Sequence, residues 1–126
     1  MRPTAAERRA RGRRAEIAVA DYLVANGFAI IAGNVRLGPL ELDLVARRGG
    51  LVAVVEVRTR GHGSFDGPFA SIRAPKRERL LRAVERLWRE RLTAIPEVER
   101  VRIDVAAVTF DQGQTLVEYV AGAVCG

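Results

Sequence analysis

Apolar and polar positions along this chain follow two periods, and together they predict seven elements of secondary structure. Apolar residues recur at helical spacing from Thr4, where a capping-box pattern with Glu7 starts a helix, to Asn26-Gly27. A second apolar stripe at helical spacing runs from Pro75 to about Leu92. Five β-rich runs complete the pattern, at residues 28–36, 40–48, 51–59, 98–110 and 115–120. The order α-β-β-β-α-β-β predicts one mixed α/β domain over residues 1–126.

The second and third β-rich runs are separated by Gly49-Gly50, a strong hairpin signal. With these glycines in the turn, paired residue numbers sum to 99, so Asp43 lies opposite Glu56 and Glu41 opposite Arg58. Strand alternation then predicts that these four charged side chains share one face of the sheet. The other face would be the core, because its residues are apolar: Leu42, Leu44, Ala46, Ala53, Val55 and Val57.

The facing carboxylates of Asp43 and Glu56 are the main chemical signal of the sequence. Residues opposite each other on paired strands have Cβ atoms about 4.5–5.5 Å apart, so two carboxylates there repel unless a cation neutralises them. Mg²⁺ or Mn²⁺ suits this role, since such ions bind one or two carboxylates together with waters and substrate phosphates. The alternative is a surface network in which Arg58 and neighbouring arginines neutralise both acids. The register is the sensitive step, because a loop of another length would make the two acids diagonal.

Composition narrows the class of protein. The chain has 126 residues, 48% of them apolar and 29% charged, which predicts a folded domain. The single cysteine, Cys125, rules out a disulfide within the chain, and no segment is apolar enough for a signal peptide or a membrane span. We therefore expect a cytoplasmic protein without a membrane partner.

Charge points to a polyanionic partner. The net charge is +6, and arginines crowd the first fourteen residues and the segment 76–91. Basic segments of this kind neutralise phosphates, and they favour a nucleic acid, most simply DNA, over a solvated arginine-rich surface. The candidates for contact with the nucleic-acid backbone are Arg9, Arg13, Arg60, Lys76 and Arg79. Lys76 is the one lysine beside twenty arginines.

The runs Glu41-Leu42-Asp43-Leu44-Val45-Ala46 and Val54-Val55-Glu56-Val57-Arg58-Thr59-Arg60 resemble the signature of the YraN-type family of small bacterial proteins. The resemblance covers about residues 10–110. Its weaker motifs are Arg14-Ala15-Glu16, Asn34 after the first strand, Lys76 at the second helix and Arg102-Ile103-Asp104-Val105. Such proteins are similar to Holliday-junction resolvases and restriction endonucleases, which implies a restriction-endonuclease-like mixed sheet flanked by helices.

The resemblance also implies roles for individual residues. Asp43 and Glu56 would bind the metal with help from the Val57 carbonyl, and Glu16 would approach from the first helix as a third acid or would pair with a neighbouring arginine. Glu41 is either a further ligand or the ion-pair partner of Arg58, and we favour the partner. We expect Asp104 and Arg102 to form a salt bridge that braces the sheet.

The sequence departs from the family pattern at three places. The family's Glu-x-Lys is Glu56-Val57-Arg58 here, and an arginine stays charged, so Arg58 assists electrostatically and is no general base. Ala15 and Leu40 stand where the family has glycines. Lys76 is either needed near the scissile phosphate or is an ordinary basic residue in a first helical turn, and His62 lies in the glycine-rich loop 61–68.

These observations predict a Mg²⁺- or Mn²⁺-dependent endonuclease that hydrolyses DNA phosphodiesters, at branched or single-stranded structures. Its relatives among junction-cleaving enzymes imply a homodimer. The alternative is a nucleic-acid-binding module of the same fold that has lost turnover through Arg58. A plain interaction domain with structural acids is the third reading.

Overall fold

A computed structural model describes residues 2–60 and 74–124. Two helices and five strands follow the predicted order: α1 Ala5–Ala25, β1 Ala29–Leu37, β2 Leu40–Arg48, β3 Leu51–Arg60, α2 Ala74–Glu90, β4 Arg100–Asp111 and β5 Gln114–Val124, with a 3₁₀ turn at Leu92–Ala94. The predicted α/β class with a mixed sheet is confirmed. No helix in the described ranges combines the length and the apolar composition needed to cross a membrane.

The five strands form one sheet in the order β1-β2-β3-β4-β5, and every neighbouring pair is antiparallel except β3 and β4. The parallel pair needs a crossover connection, and α2 lies within it. A helix that follows a strand in this way begins near the carboxyl end of that strand. The first turn of α2 is thereby brought toward the end of β3.

Local sequence explains where α1 begins. The Thr4 side chain accepts a hydrogen bond from the Glu7 backbone amide at 3.1 Å, as the capping pattern predicts. The β2–β3 turn also agrees with prediction, because Gly49 takes a φ of +60° and Arg48 pairs with Leu51.

Both faces of the sheet carry an apolar core, which corrects the prediction of one apolar and one charged face. On the α1 side, Ala15, Val19 and Leu23 pack on the inward residues of β3, Leu51, Ala53 and Val55. On the α2 side, the packed residues are Leu80, Ala83, Val84 and Leu87 from the helix and Leu42, Val45, Val52 and Val54 from the sheet. The sequence pattern missed the second core because the charged residues lie at its end rather than along it.

Strict alternation fails in β2 around Asp43. Leu42 and Val45 both belong to the core on the α2 side. Strict alternation would put two residues at this odd spacing on opposite faces of the sheet. The prediction that Leu42 shares a face with Leu44 and Ala46 is therefore wrong. The partner strand keeps its register at this level, but Asn34, between the pairs Gly33–Leu44 and Val35–Leu42, has a φ of +51°. Asn34 therefore lies within β1, not after it.

Candidate metal and phosphate site

A cavity of about 390 Å³ lies between the first turns of α2 and the end of the β2–β3 ladder. Its walls join acidic residues of the sheet to basic residues of the helix. The lining residues are Pro39, Leu40, Glu41, Asp43, Glu56, Lys76, Arg79, Leu80 and Ala83. Leu40 forms one of the apolar walls of this cavity.

Asp43 and Glu56 lie where the two strands stop pairing. The register sums to 99 from Arg48–Leu51 to Leu44–Val55, as predicted, and the next position holds the two acids. There the Asp43 Oδ2 accepts a hydrogen bond from the Val57 amide at 2.8 Å. The Asp43 carboxylate thus accepts the hydrogen bond that a backbone carbonyl of the neighbouring strand would accept if the ladder continued.

Burial raises the pKa of Asp43 to about 7, and the negative charge of Glu56 adds to the effect. The hydrogen bond from the Val57 amide lowers the pKa of Asp43, whereas the negative charge of Glu16 raises it further. A carboxyl group whose pKa is raised toward neutral pH by desolvation and a like charge is typical of functional sites.

Glu56 is buried, with 7% of its surface exposed, and Lys76 provides its counter-charge. The Lys76 Nζ lies 2.5 Å from the Glu56 Oε1. Lys76 comes from the first turn of α2, twenty residues along the chain, so no pattern within the strands predicts this contact. Lys76 thus lies in the site and contacts Glu56, the residue that the sequence predicts as a metal ligand.

Two further arginines were predicted to act here. Arg79 lies one turn after Lys76 and lines the same cavity. Arg58 lies two residues after Glu56 on β3 and is half-buried.

Glu16 and Glu41 each make a contact that the sequence did not predict, and Glu41 also lines the cavity. The Glu16 Oε2 accepts a hydrogen bond from the Asn34 Nδ2 at 3.2 Å, so the left-handed conformation of Asn34 serves a contact with α1. Glu41 faces Arg36 across the β1–β2 ladder, at 3.9 Å and largely in solvent, instead of the expected Arg58. The two-residue turn Gly38-Pro39 would have predicted this pair from the sequence, since it makes β1–β2 partners sum to 77.

Two of the remaining basic candidates, Arg9 and Arg13, lie away from the cavity. Arg9 and Arg13 are exposed on α1, which packs on the opposite face of the sheet. The side chain of Arg60, His62 and the glycine-rich loop lie outside the described residues, as does Cys125.

The donor set fits a hard divalent cation of the Mg²⁺ type. Two adjacent carboxylates suffice for such an ion when waters and phosphate oxygens complete its shell, and thiol or imidazole ligands are not required. Asp43 and Glu56 supply those carboxylates. Within residues 2–60 and 74–124, no cluster of three or more acidic, histidine or cysteine side chains is placed to hold a metal.

A second buried acid, Asp104, belongs to a separate network. Its carboxylate accepts hydrogen bonds from the Arg102 guanidinium at 2.8 and 3.0 Å, from the Tyr119 hydroxyl at 2.5 Å and from the Gly122 amide at 2.8 Å. Burial and the bond to Asp104 raise the pKa of Tyr119, and the same carboxylate raises that of Arg102. The predicted Arg102–Asp104 salt bridge is confirmed, while the participation of Tyr119 was missed.

The fold and the cavity define a small α/β protein with a cavity on one face of its mixed sheet, lined by acidic and basic side chains. Residues 15–108 match the model of a family described as "Uncharacterised protein family UPF0102", and the chain belongs to this family. A UPF0102 protein of Sorangium cellulosum is 50% identical over 122 residues, which cover 96% of this chain and 85% of that protein. Another from Gloeobacter violaceus is 43% identical over 117 residues, covering 89% and 90% of the two chains. The predicted family is thereby confirmed.

Proposed function

We propose that this protein is a Mg²⁺- or Mn²⁺-dependent nuclease that hydrolyses phosphodiester bonds in DNA. The observation that carries the proposal is the cavity in which Asp43 and Glu56 face Lys76 and Arg79. Metal-dependent phosphodiester hydrolysis uses acidic groups that hold the cation, and basic groups beside them can bind the phosphate. Both kinds of group line one cavity of about 390 Å³.

Each residue has a role that follows from its position. Asp43 and Glu56 would hold the cation, which when bound polarises a phosphoryl oxygen and lowers the pKa of a water. Arg79 and Lys76 would bind phosphate oxygens from the helix side of the cavity. Arg58 would stabilise the negative charge that develops on the phosphate, because its guanidinium stays positively charged.

Metal binding is tested first, because every other role depends on it. Calorimetric titration of the wild type with Mn²⁺ should show one site, and Asp43→Asn should weaken binding by roughly a hundredfold, as expected when one of two charged ligands is lost. Asparagine keeps the shape of the side chain and an oxygen for the Val57 amide. If the wild type binds no Mn²⁺, the nuclease proposal fails.

Cleavage is tested with labelled duplex, single-stranded and four-way-junction DNA, in Mg²⁺, in Mn²⁺ and in EDTA. We expect products with the wild type, none in EDTA, and a rate at least about a hundredfold lower with Asp43→Asn. Arg58→Lys is run in parallel. DNA binding without cleavage by the wild type, with cleavage gained in the lysine variant, would instead identify a nucleic-acid-binding module that has lost turnover.

A further inference from the structure

Lys76 and Glu56 form an ion pair in which the carboxylate is buried and the lysine is partly exposed to solvent. The Glu56 side chain is 8% exposed, the Lys76 side chain is 44% exposed, and the Nζ–Oε1 distance is 2.5 Å. A buried carboxylate needs a positive partner, since an uncompensated charge in the interior is strongly unfavourable. The carboxylate is fixed in the sheet, whereas the ammonium lies on a flexible stem with access to solvent. The cation is therefore the partner that can leave.

The position of Lys76 is unfavourable for the helix that carries it. Positive side chains in a first helical turn oppose the helix dipole, and the first turn of α2 has no acidic residue to offset Lys76. The lysine is also the single one in a chain with twenty arginines. Helix stability thus gives no reason for a lysine here, while the contact with Glu56 does.

A divalent cation and the Lys76 ammonium would compete for the same carboxylate. A cation bound between Asp43 and Glu56 would use the Glu56 oxygens that now face the Nζ, and two cations on one buried carboxylate repel. Displacement would leave the ammonium inside a cavity that also contains Arg79, one turn along the helix. A phosphate group is the ligand that those two cations suit.

We infer that Lys76 is a resident counter-ion of Glu56 that a divalent metal displaces, which frees the ammonium to bind the substrate phosphate. The inference rests on the proposed metal site. Metal loading and phosphate binding are then coupled through one side chain. Without metal, Lys76 satisfies the buried acid and is withheld from phosphate.

The test measures Mn²⁺ affinity by calorimetry in the wild type, Lys76→Met and the matched control Arg77→Met. Arg77 lies in the same turn of α2, is exposed and does not line the cavity. Loss of the competing ammonium should tighten Mn²⁺ binding roughly tenfold, within the usual range of coupling between two ligands. Arg77→Met should change it by less than about twofold, and Lys76→Arg should stay within about threefold of the wild type, because both keep a cation beside Glu56.

Thermal unfolding supplies a readout that a purely structural lysine would not produce. In EDTA, Lys76→Met should unfold at a lower temperature than the wild type, because Glu56 has lost its partner. Saturating Mn²⁺ should raise its midpoint by more than it raises that of the wild type, since stabilisation follows affinity. A structural role alone predicts the same rise in both proteins.

The outcomes separate the two proposals. If neither the wild type nor Lys76→Met binds Mn²⁺, the metal site itself is wrong. If the wild type binds Mn²⁺ through Asp43 but Lys76→Met binds it no more tightly, the metal site stands and the counter-ion inference is overturned.

Discussion

At the scale of single residues, the environment of Asp43 determines the chemistry of the site. Its carboxylate combines partial burial, a neighbouring acid and one backbone amide donor. The first two raise its pKa and the third lowers it, with a net rise to about 7. A proton would therefore compete with the proposed divalent cation for Asp43 near neutral pH, so both the stability of the protein and its affinity for that cation should depend on pH there.

The raised pKa of Asp43 predicts how stability changes with pH in EDTA. Between the ordinary value of 3.8 and about 7, the folded state keeps a proton that the unfolded state has lost. The free energy of unfolding contributed by Asp43 is thus unchanged below pH 3.8, falls as pH rises through this window, and is lowest above pH 7. Asp43→Asn should match the wild type near pH 4 and exceed its stability at pH 8 by roughly 1–3 kcal/mol.

Urea unfolding at the two pH values checks this prediction. Asp21→Asn is the matched control, because Asp21 is an exposed carboxylate on α1. Its effect should be the same at both pH values. An equal effect of Asp43→Asn at pH 4 and pH 8 would show that the carboxylate is not destabilised in the folded protein.

The sequence predicts part of this site. The Gly49-Gly50 turn was enough to predict that Asp43 lies beside Glu56, because the register of a hairpin is a local property. The contact of Lys76 with Glu56 depends on how α2 lies across the sheet, which a local pattern does not encode. The family resemblance includes Asn34, but periodicity does not predict its contact with Glu16, because Asn34 has a left-handed conformation within a strand.

At the scale of elements, Asp104 joins the last two strands. Its carboxylate on β4 accepts bonds from Tyr119 and Gly122, both on β5. β5 extends over Gln114–Val124, beyond the predicted end at residue 120, and Gly122 lies in this added stretch. The sequence did not predict the extension because Ala-Gly-Ala lacks the β-branched residues by which strands are recognised.

Removing the Tyr119 hydroxyl should loosen this junction. Tyr119→Phe leaves the buried carboxylate with one donor fewer, and we expect the free energy of unfolding to fall by about 1–3 kcal/mol in urea denaturation. Tyr22→Phe is the control, since its ring stacks on Tyr119 at a centroid distance of 5.2 Å and is partly exposed. Its loss should stay below about 0.5 kcal/mol. Equal losses in the two variants would mean that the hydrogen bond from the Tyr119 hydroxyl to Asp104 contributes no more than an ordinary tyrosine hydroxyl does.

At the scale of the whole molecule, the crossover from β3 to β4 explains why a site forms where it does. The parallel pair sends the chain out at the carboxyl end of β3 and returns it through α2. Acids near the end of the strand and bases in the first turns of the helix are thereby brought together, as at the carboxyl ends of strands in other α/β sheets. The basic residues of α1 lie on the other face of the sheet.

The separation of the two basic helices predicts which of them would dominate the proposed binding of DNA. If the phosphate backbone passes the cavity, Arg79→Met should weaken binding and lower the salt dependence of log K by about one unit per lost phosphate contact. Arg9→Met, on α1, should have a smaller effect on both. Fluorescence anisotropy with labelled DNA at several salt concentrations, in EDTA to prevent cleavage, measures both quantities. Equal losses from the two variants would mean that DNA contacts both faces, and a larger loss from Arg9→Met would remove the cavity from the DNA path.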